Sequence, residues 1–333
     1  MLVRIFKKSH WYSPLLLLIV AALLWMDVFI SPDKAIDTIS GSGNGLYNML
    51  LPAITAYPGM AVAIAFLLLM LQVFMINHVA TTKGFTDRYS ALPGLIYLLL
   101  MSSTEGMIAP NPVIIANVFL IPAVNKLLNV YEDEHVIKEV FNISFLIALA
   151  SLFFLPAMAF FLVLLLSIFV YYIVNIRTII AAIVGLITPF FFLSLYFFMQ
   201  DGLVVLNYDL DINISPLIIF DVDINIYEKI FTVALSFLSF FSILRLQLVY
   251  KGTKPIRVRK RISMLLIVLL FSVLSYALAV DNIHVHYGLI IIPLSISLAV
   301  FFYDIRNIRL SEILFGVFLV LVLAGRFSGY FLS

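Results

Sequence analysis

Lys251-Gly-Thr-Lys254-Pro-Ile-Arg257-Val-Arg259-Lys260-Arg261 stands between two long apolar stretches and places six cations in eleven residues. A run of that charge density stays out of hydrocarbon, and the preference of Lys and Arg for the cytoplasmic side of a bilayer assigns it to the cytoplasm. Every other loop then takes its side from this one. Of the 20 Lys and Arg in the chain, only Lys34, Lys229 and Arg326 fall on the opposite side. That asymmetry is what an oriented multi-pass membrane protein shows.

The composition agrees. In 333 residues, 64% are hydrophobic and 11% charged, with a mean hydropathy of +1.15; a soluble globule carries roughly a quarter of its residues as charges. Thirty Phe and sixteen Tyr suit a lipid-facing surface with interfacial aromatic belts. Nothing in this charge pattern points to nucleic acid. Cysteine is absent, which excludes disulfides and thiolate metal sites.

The fold expected is all-α, a polytopic bundle of about eleven transmembrane helices in one integral membrane domain over residues 1–333. Arg4, Lys7 and Lys8 precede an apolar run with no small-residue cleavage site, so the first helix, Pro14 to Ile30, is read as uncleaved. Residues 31–57 form an outer segment with a short interfacial helix. Helix two is Pro58 to Ile76. Helix three starts at Pro93 and ends at Ser102-Ser-Thr-Glu-Gly106, and helix four is Val113 to Leu128. The run Val140 to Val174 exceeds the roughly 20 residues one crossing needs, so Pro156 is read as splitting it in two. Thr178 to Met199, Glu228 to Val249, Ile262 to Val280, Gly288 to Phe302 and Leu310 to Phe331 complete the count. Residues 250–261 are taken as the basic cytoplasmic loop. Residues 200–227, the second outer segment, repeat a pattern: Asp209-Leu-Asp-Ile-Asn-Ile214, then Asp221-Val-Asp-Ile-Asn-Ile226. Period two reads as a small β-hairpin at the membrane surface. Its acidic row suits a hard cation, although a solvated strand face is the plainer reading.

Five residues stand out as candidates for chemistry. Asp27 and Glu105 are the candidate catalytic acids: Asp27 lies at the outer end of helix one and Glu105 at that of helix three, where a carboxylate is costly unless partnered or functional. Arg326, near the outer end of helix eleven, is the expected counter-ion of Glu105 or of an anionic ligand. His284 and His286 fall in the short outer loop between helices nine and ten as further substrate-binding candidates. Two histidines do not make a metal site, and His10, His78 and His135 fall on the other side. Hydrated helix-end acids, a structural ion pair and an ordinary loop explain the same residues.

Three stretches carry a resemblance: Arg4-Ile-Phe-Lys-Lys-Ser-His-Trp-Tyr-Ser-Pro14, Leu92-Pro93 and Ile147-Ala-Leu-Ala-Ser-Leu-Phe-Phe-Leu-Pro156. In these the chain resembles a family of multi-pass inner-membrane proteins of Bacteroidota, which implies an inner-membrane location and no particular activity. In architecture it is also similar to the GT-C class of polyprenyl-phosphate-sugar glycosyltransferases, whose acid after helix one corresponds to Asp27. That likeness implies a lipid-linked sugar as substrate, with Asp27 as base and Arg326 binding phosphate. A transporter or lipid flippase, and a non-catalytic scaffold of an envelope complex, remain the alternatives. No cofactor is indicated.

The topology is testable because the native chain has no thiol. Single cysteines replacing Ser42 or Asn213 should react with a membrane-impermeant maleimide from outside right-side-out vesicles, whereas one replacing Thr253 should not. Labelling at position 253 would reverse the orientation.

Overall fold

The structure, a computed structural model, describes residues 2–7, 12–37, 46–86, 90–130, 135–199, 240, 242, 256–277, 283–305 and 307–326. Among these the protein is all-α, with no strand. Five helices are long and apolar enough to cross a bilayer: α6 (Pro58–Thr82), α9 (Val136–Phe153), α11 (Ile176–Met199), the Tyr287–Asp304 part of α13 (Ile283–Asp304), and α14 (Ile308–Arg326). Shorter apolar helices lie among them: α2 (Ser13–Leu24), α5 (Leu46–Ala56), α7 (Leu92–Met101), α8 (Pro112–Leu127) and α10 (Ala159–Val170). Three short helices, α1 (Leu2–Lys7), α3 (Met26–Ile30) and α4 (Pro32–Asp37), and the basic α12 (Ile256–Ala277) complete the set. The repeat at 209–226 and the helix expected at 228–249 lie outside the described residues, apart from helical positions 240 and 242.

Several boundaries move for local reasons. Helix one is broken at Trp25, a buried residue whose indole Nε1 donates to Ser102 Oγ (3.3 Å), and the chain continues as α3 and α4. Helix two runs on to Thr82, because its stop signal is Gly84 in the left-handed region (φ 75°). Phe85 N–H donates to Ala80 O (3.0 Å) and Gly84 N–H to Thr81 O (3.2 Å), closing the helix end in a Schellman motif. The basic stretch is only partly a loop: α12 begins at Ile256 and carries Arg257, Arg259, Lys260 and Arg261 in its first two turns. Cations there oppose the helix dipole. Val258, Ile262 and Leu265 are partly or fully covered by the bundle, and that burial extends the helix back into the charged stretch. Pro156 does split the long apolar run, with α9 ending at Phe153 and a 3-10 turn at Leu155–Met158 before α10.

The bundle is built around α7. All ten of its residues are buried, and it packs against α6 and α13, with α1, α2 and α14 also touching it. At 1.5 Å per residue it is only about 15 Å long, half the roughly 30 Å of a hydrocarbon core. Ser102–Asn111 continues as non-helical backbone, with Ser102, Ser103, Thr104 and the stretch Met107–Asn111 all buried, before α8 turns back. Irregular backbone at depth is tolerated where protein covers it or where it lines a cavity. Five buried serines elsewhere meet their hydroxyls locally: Ser151, Ser167, Ser272, Ser295 and Ser297 each donate to a carbonyl three residues back.

Two opposite ends follow from side-chain contacts. At one, Lys7 Nζ donates to Tyr303 O (2.6 Å), Ala91 N–H to Phe6 O (3.0 Å), and Arg261 Nη1 to Lys83 O (3.0 Å). At the other, Trp25 meets Ser102 and Tyr47 hydroxyl donates to Pro110 O (2.7 Å).

Packing of α11 on α9 depends on Gly185, where an added Cβ would collide with Ser144 Oγ and lie 2.6 Å from Phe141 O. The second obstacle is backbone, so the helices themselves would have to separate. Gly185→Ala should lower thermal stability by about 1–3 kcal/mol through overpacking, while Gly316→Ala, with nothing within 4 Å of its Cβ, should leave it unchanged or raise it. Equal effects of the two substitutions in a detergent melt would contradict this packing.

Candidate functional site

The end of the bundle marked by Trp25 gathers the charged candidates. The break at Trp25 puts Asp27 in the first turn of α3, with Ser31 donating to its backbone carbonyl from both N–H (2.9 Å) and Oγ (3.0 Å). Trp25 and Phe29 pack edge-on against Phe66 of α6, with centroids 5.8 and 5.4 Å apart. Arg326 is the last described residue of α14. Its guanidinium Nη2 donates to Asp27 Oδ2. The arginine is 2% exposed and the aspartate side chain 32%. The other carboxylate oxygen, Asp27 Oδ1, is buried and has no hydrogen-bond partner among the described residues.

The irregular segment forms the floor of this end. Asn111 caps α8 by accepting from Ile114 N–H (2.9 Å), and its amide donates to Gly106 O and Met107 O (3.2 Å each). Tyr47, brought in by α5, covers Pro110, and burial pushes its hydroxyl pKa up, which keeps it a donor. Thr104 Oγ1 is a second buried polar atom with no partner among the described residues.

The remaining candidates are placed only through their backbone. Glu105 begins the 3-10 turn Glu105–Met107, and its side chain lies outside the described residues. That turn packs against the start of α13, where a Cβ on Gly288 would fall 3.5 Å from Met107 Cε. His284 and His286, expected in a loop, belong instead to the first turn of α13. Their side chains also lie outside the described residues. Asp27 and Arg326 are thus brought into contact, while the turn that carries Glu105 packs on the helix that carries the two histidines. No group of three or more His, Asp or Glu suited to a metal occurs among the described residues.

A polar cluster deeper in the bundle was not singled out from the sequence. Tyr97 hydroxyl donates to Gln72 Oε1 (2.6 Å), Asn117 amide donates to Tyr97 hydroxyl (3.1 Å) and Gly288 O (3.2 Å), and Gln72 amide donates to Ile114 O (2.5 Å). Gln72, Tyr97 and Asn117 are fully buried. Each sits alone within an apolar run. An amide inside a membrane-spanning stretch is the signal that could have found them.

Compared with protein-family models, with curated proteins and with solved structures, the chain matches none. Among the described residues, fold and site define an all-α membrane protein in which a partly buried ion pair joins α3 to α14.

Removing one partner of a buried pair strands the other's charge. With Asp27 one-third exposed, Asp27→Asn and Arg326→Gln should each cost about 1–3 kcal/mol. The double variant should cost less than the sum, as groups in contact require. Strictly additive melting data would mean the two side chains do not meet in the membrane.

Proposed function

We propose that the protein is an envelope glycosyltransferase that uses a polyprenyl-phosphate-linked sugar at the outer face of the inner membrane. In this reading eleven helices cross the bilayer with the amino terminus in the cytoplasm, and the Trp25 end faces outward. The observation that carries the reading is the state of Asp27: Arg326 holds one carboxylate oxygen, while Oδ1 has no donor among the described residues. A carboxylate with one oxygen held by a guanidinium and the other still without a donor suits a general base once an acceptor hydroxyl reaches it. The acceptor hydroxyl donates to Asp27 Oδ1 and loses its proton there as its oxygen attacks the anomeric carbon. The bond from that carbon to the phosphate oxygen breaks, and polyprenyl phosphate departs. Arg326, at 2% exposure, orients the base rather than gripping the phosphate, a narrower role than its position in the sequence implies. The helices α3, α4 and α5 between the first and second long apolar stretches agree with the interfacial helices expected of the GT-C architecture.

A second reading, a transporter or lipid flippase, is favoured by one observation. The break between α7 and α8 together with the Gln72–Tyr97–Asn117 cluster has the form of discontinuous helices and polar groups at depth that transport sites use.

The two readings separate in proteoliposomes supplied with a radiolabelled polyprenyl-phosphate sugar. Transferase activity should fall by about 10²–10⁴-fold in Asp27→Asn and persist in Asn117→Leu. Sugar movement without transfer, abolished by Asn117→Leu and kept by Asp27→Asn, would replace the first reading with the second.

A further inference from the structure

A cavity of about 260 Å³ lies between α6 and α8, lined by Phe74, Met75, His78, Val79, Ile121, Pro122 and Asn125. It belongs to the opposite end of the bundle from Asp27, since His78 and Asn125 lie in the last two turns of their helices. Along α6 the exposed side chains Leu67, Leu71 and Phe74 lead to His78 at intervals of three and four residues. These are positions on one helix face. On a helix long and apolar enough to span a bilayer, such a face meets lipid, and its final turns stand at head-group depth.

The polar end of this groove has a particular deficit. Asn125 Oδ1, an acceptor, is buried with no hydrogen-bond partner among the described residues. The nearby ammonium of Lys126 is held by Glu139 Oε2 at 2.7 Å, which balances the positive charge that would otherwise draw an anionic head group. Asn125 Oδ1 is therefore an acceptor in want of a donor, and a primary ammonium offers three.

We propose that the α6–α8 groove is a binding site for a phospholipid with a primary-amine head group, its acyl chain lying along Leu67, Leu71 and Phe74 and its ammonium donating to Asn125. This site is separate from Asp27 and Arg326 and does not depend on the transferase reading.

Native mass spectrometry of the full chain, loaded with dioleoyl phosphatidylethanolamine, phosphatidylcholine or phosphatidylglycerol, tests the selection directly. Phosphatidylethanolamine should be retained roughly tenfold better than its trimethylated counterpart, the scale of a hydrogen bond to a charged group. Asn125→Leu should abolish that preference, and Asn125→Asp should keep or strengthen it. Equal retention of the amine and trimethylated lipids would overturn the proposal, as would preference for phosphatidylglycerol. If Asn125→Leu does not fold, the comparison of the three lipids on the wild-type chain still decides.

Discussion

Backbone that leaves a helix inside hydrocarbon must find its hydrogen bonds elsewhere, and the architecture follows from that requirement at Ser102–Asn111. Because α7 ends after ten residues, only Ser102 and Ser103 of the segment behind it still bond back to the helix. The nearest elements are arranged around it: Tyr47 of α5 on Pro110, Asn111 folded back on Gly106 and Met107, and Trp25 on Ser102. The bonds from Tyr47 and Trp25 draw distant parts of the chain to the segment, and those from Asn111 close it on itself. The break in the first helix at Trp25 belongs to the same arrangement, since it is the indole contact that sets where α2 stops and where Asp27 begins.

Deeper in the bundle, Gln72, Tyr97 and Asn117 tie α6, α7, α8 and α13 together through four hydrogen bonds. Such bonds inside membrane proteins average roughly 0.6 kcal/mol, so their sum is only a few kcal/mol. Their larger effect is on register. Lipid-facing apolar surface gives little preference for one rotation of a helix over another, and a buried amide that must meet a particular hydroxyl gives a strong one. Gly94 acts similarly: its N–H donates to Asn77 Oδ1 at 2.7 Å, and its missing Cβ leaves room for that amide.

Much of this was legible in the sequence wherever the signal was local. The apolar runs, the split at Pro156 and the short helices after Ile30 follow from hydropathy and from proline. Boundaries set by tertiary contact were not legible. Nothing near Trp25 says that the helix breaks there, because the cause is Ser102, far along the chain. The start of α12 at Ile256 was hidden by the charges of Arg257 to Arg261, whose helix is held by Val258, Ile262 and Leu265. Asp27 and Arg326 were both recognised as costly charges, yet the counter-ion expected for Arg326 was Glu105 or an anionic ligand and the structure gives Asp27, since position along a helix does not give its rotation or its neighbours. Tyr97 and Asn117 were overlooked because a single amide or phenol barely changes the hydropathy of its run.

Asp27 and Arg326 stand 299 positions apart, and this separation governs the order of biogenesis. A ribosome makes the guanidinium 299 residues after the carboxylate, which at 5–20 residues per second means an interval of roughly 15 to 60 seconds. The contact between α3 and α14 therefore closes only after α14 has been made, and the elements between them are synthesised before that ion pair can hold anything in place.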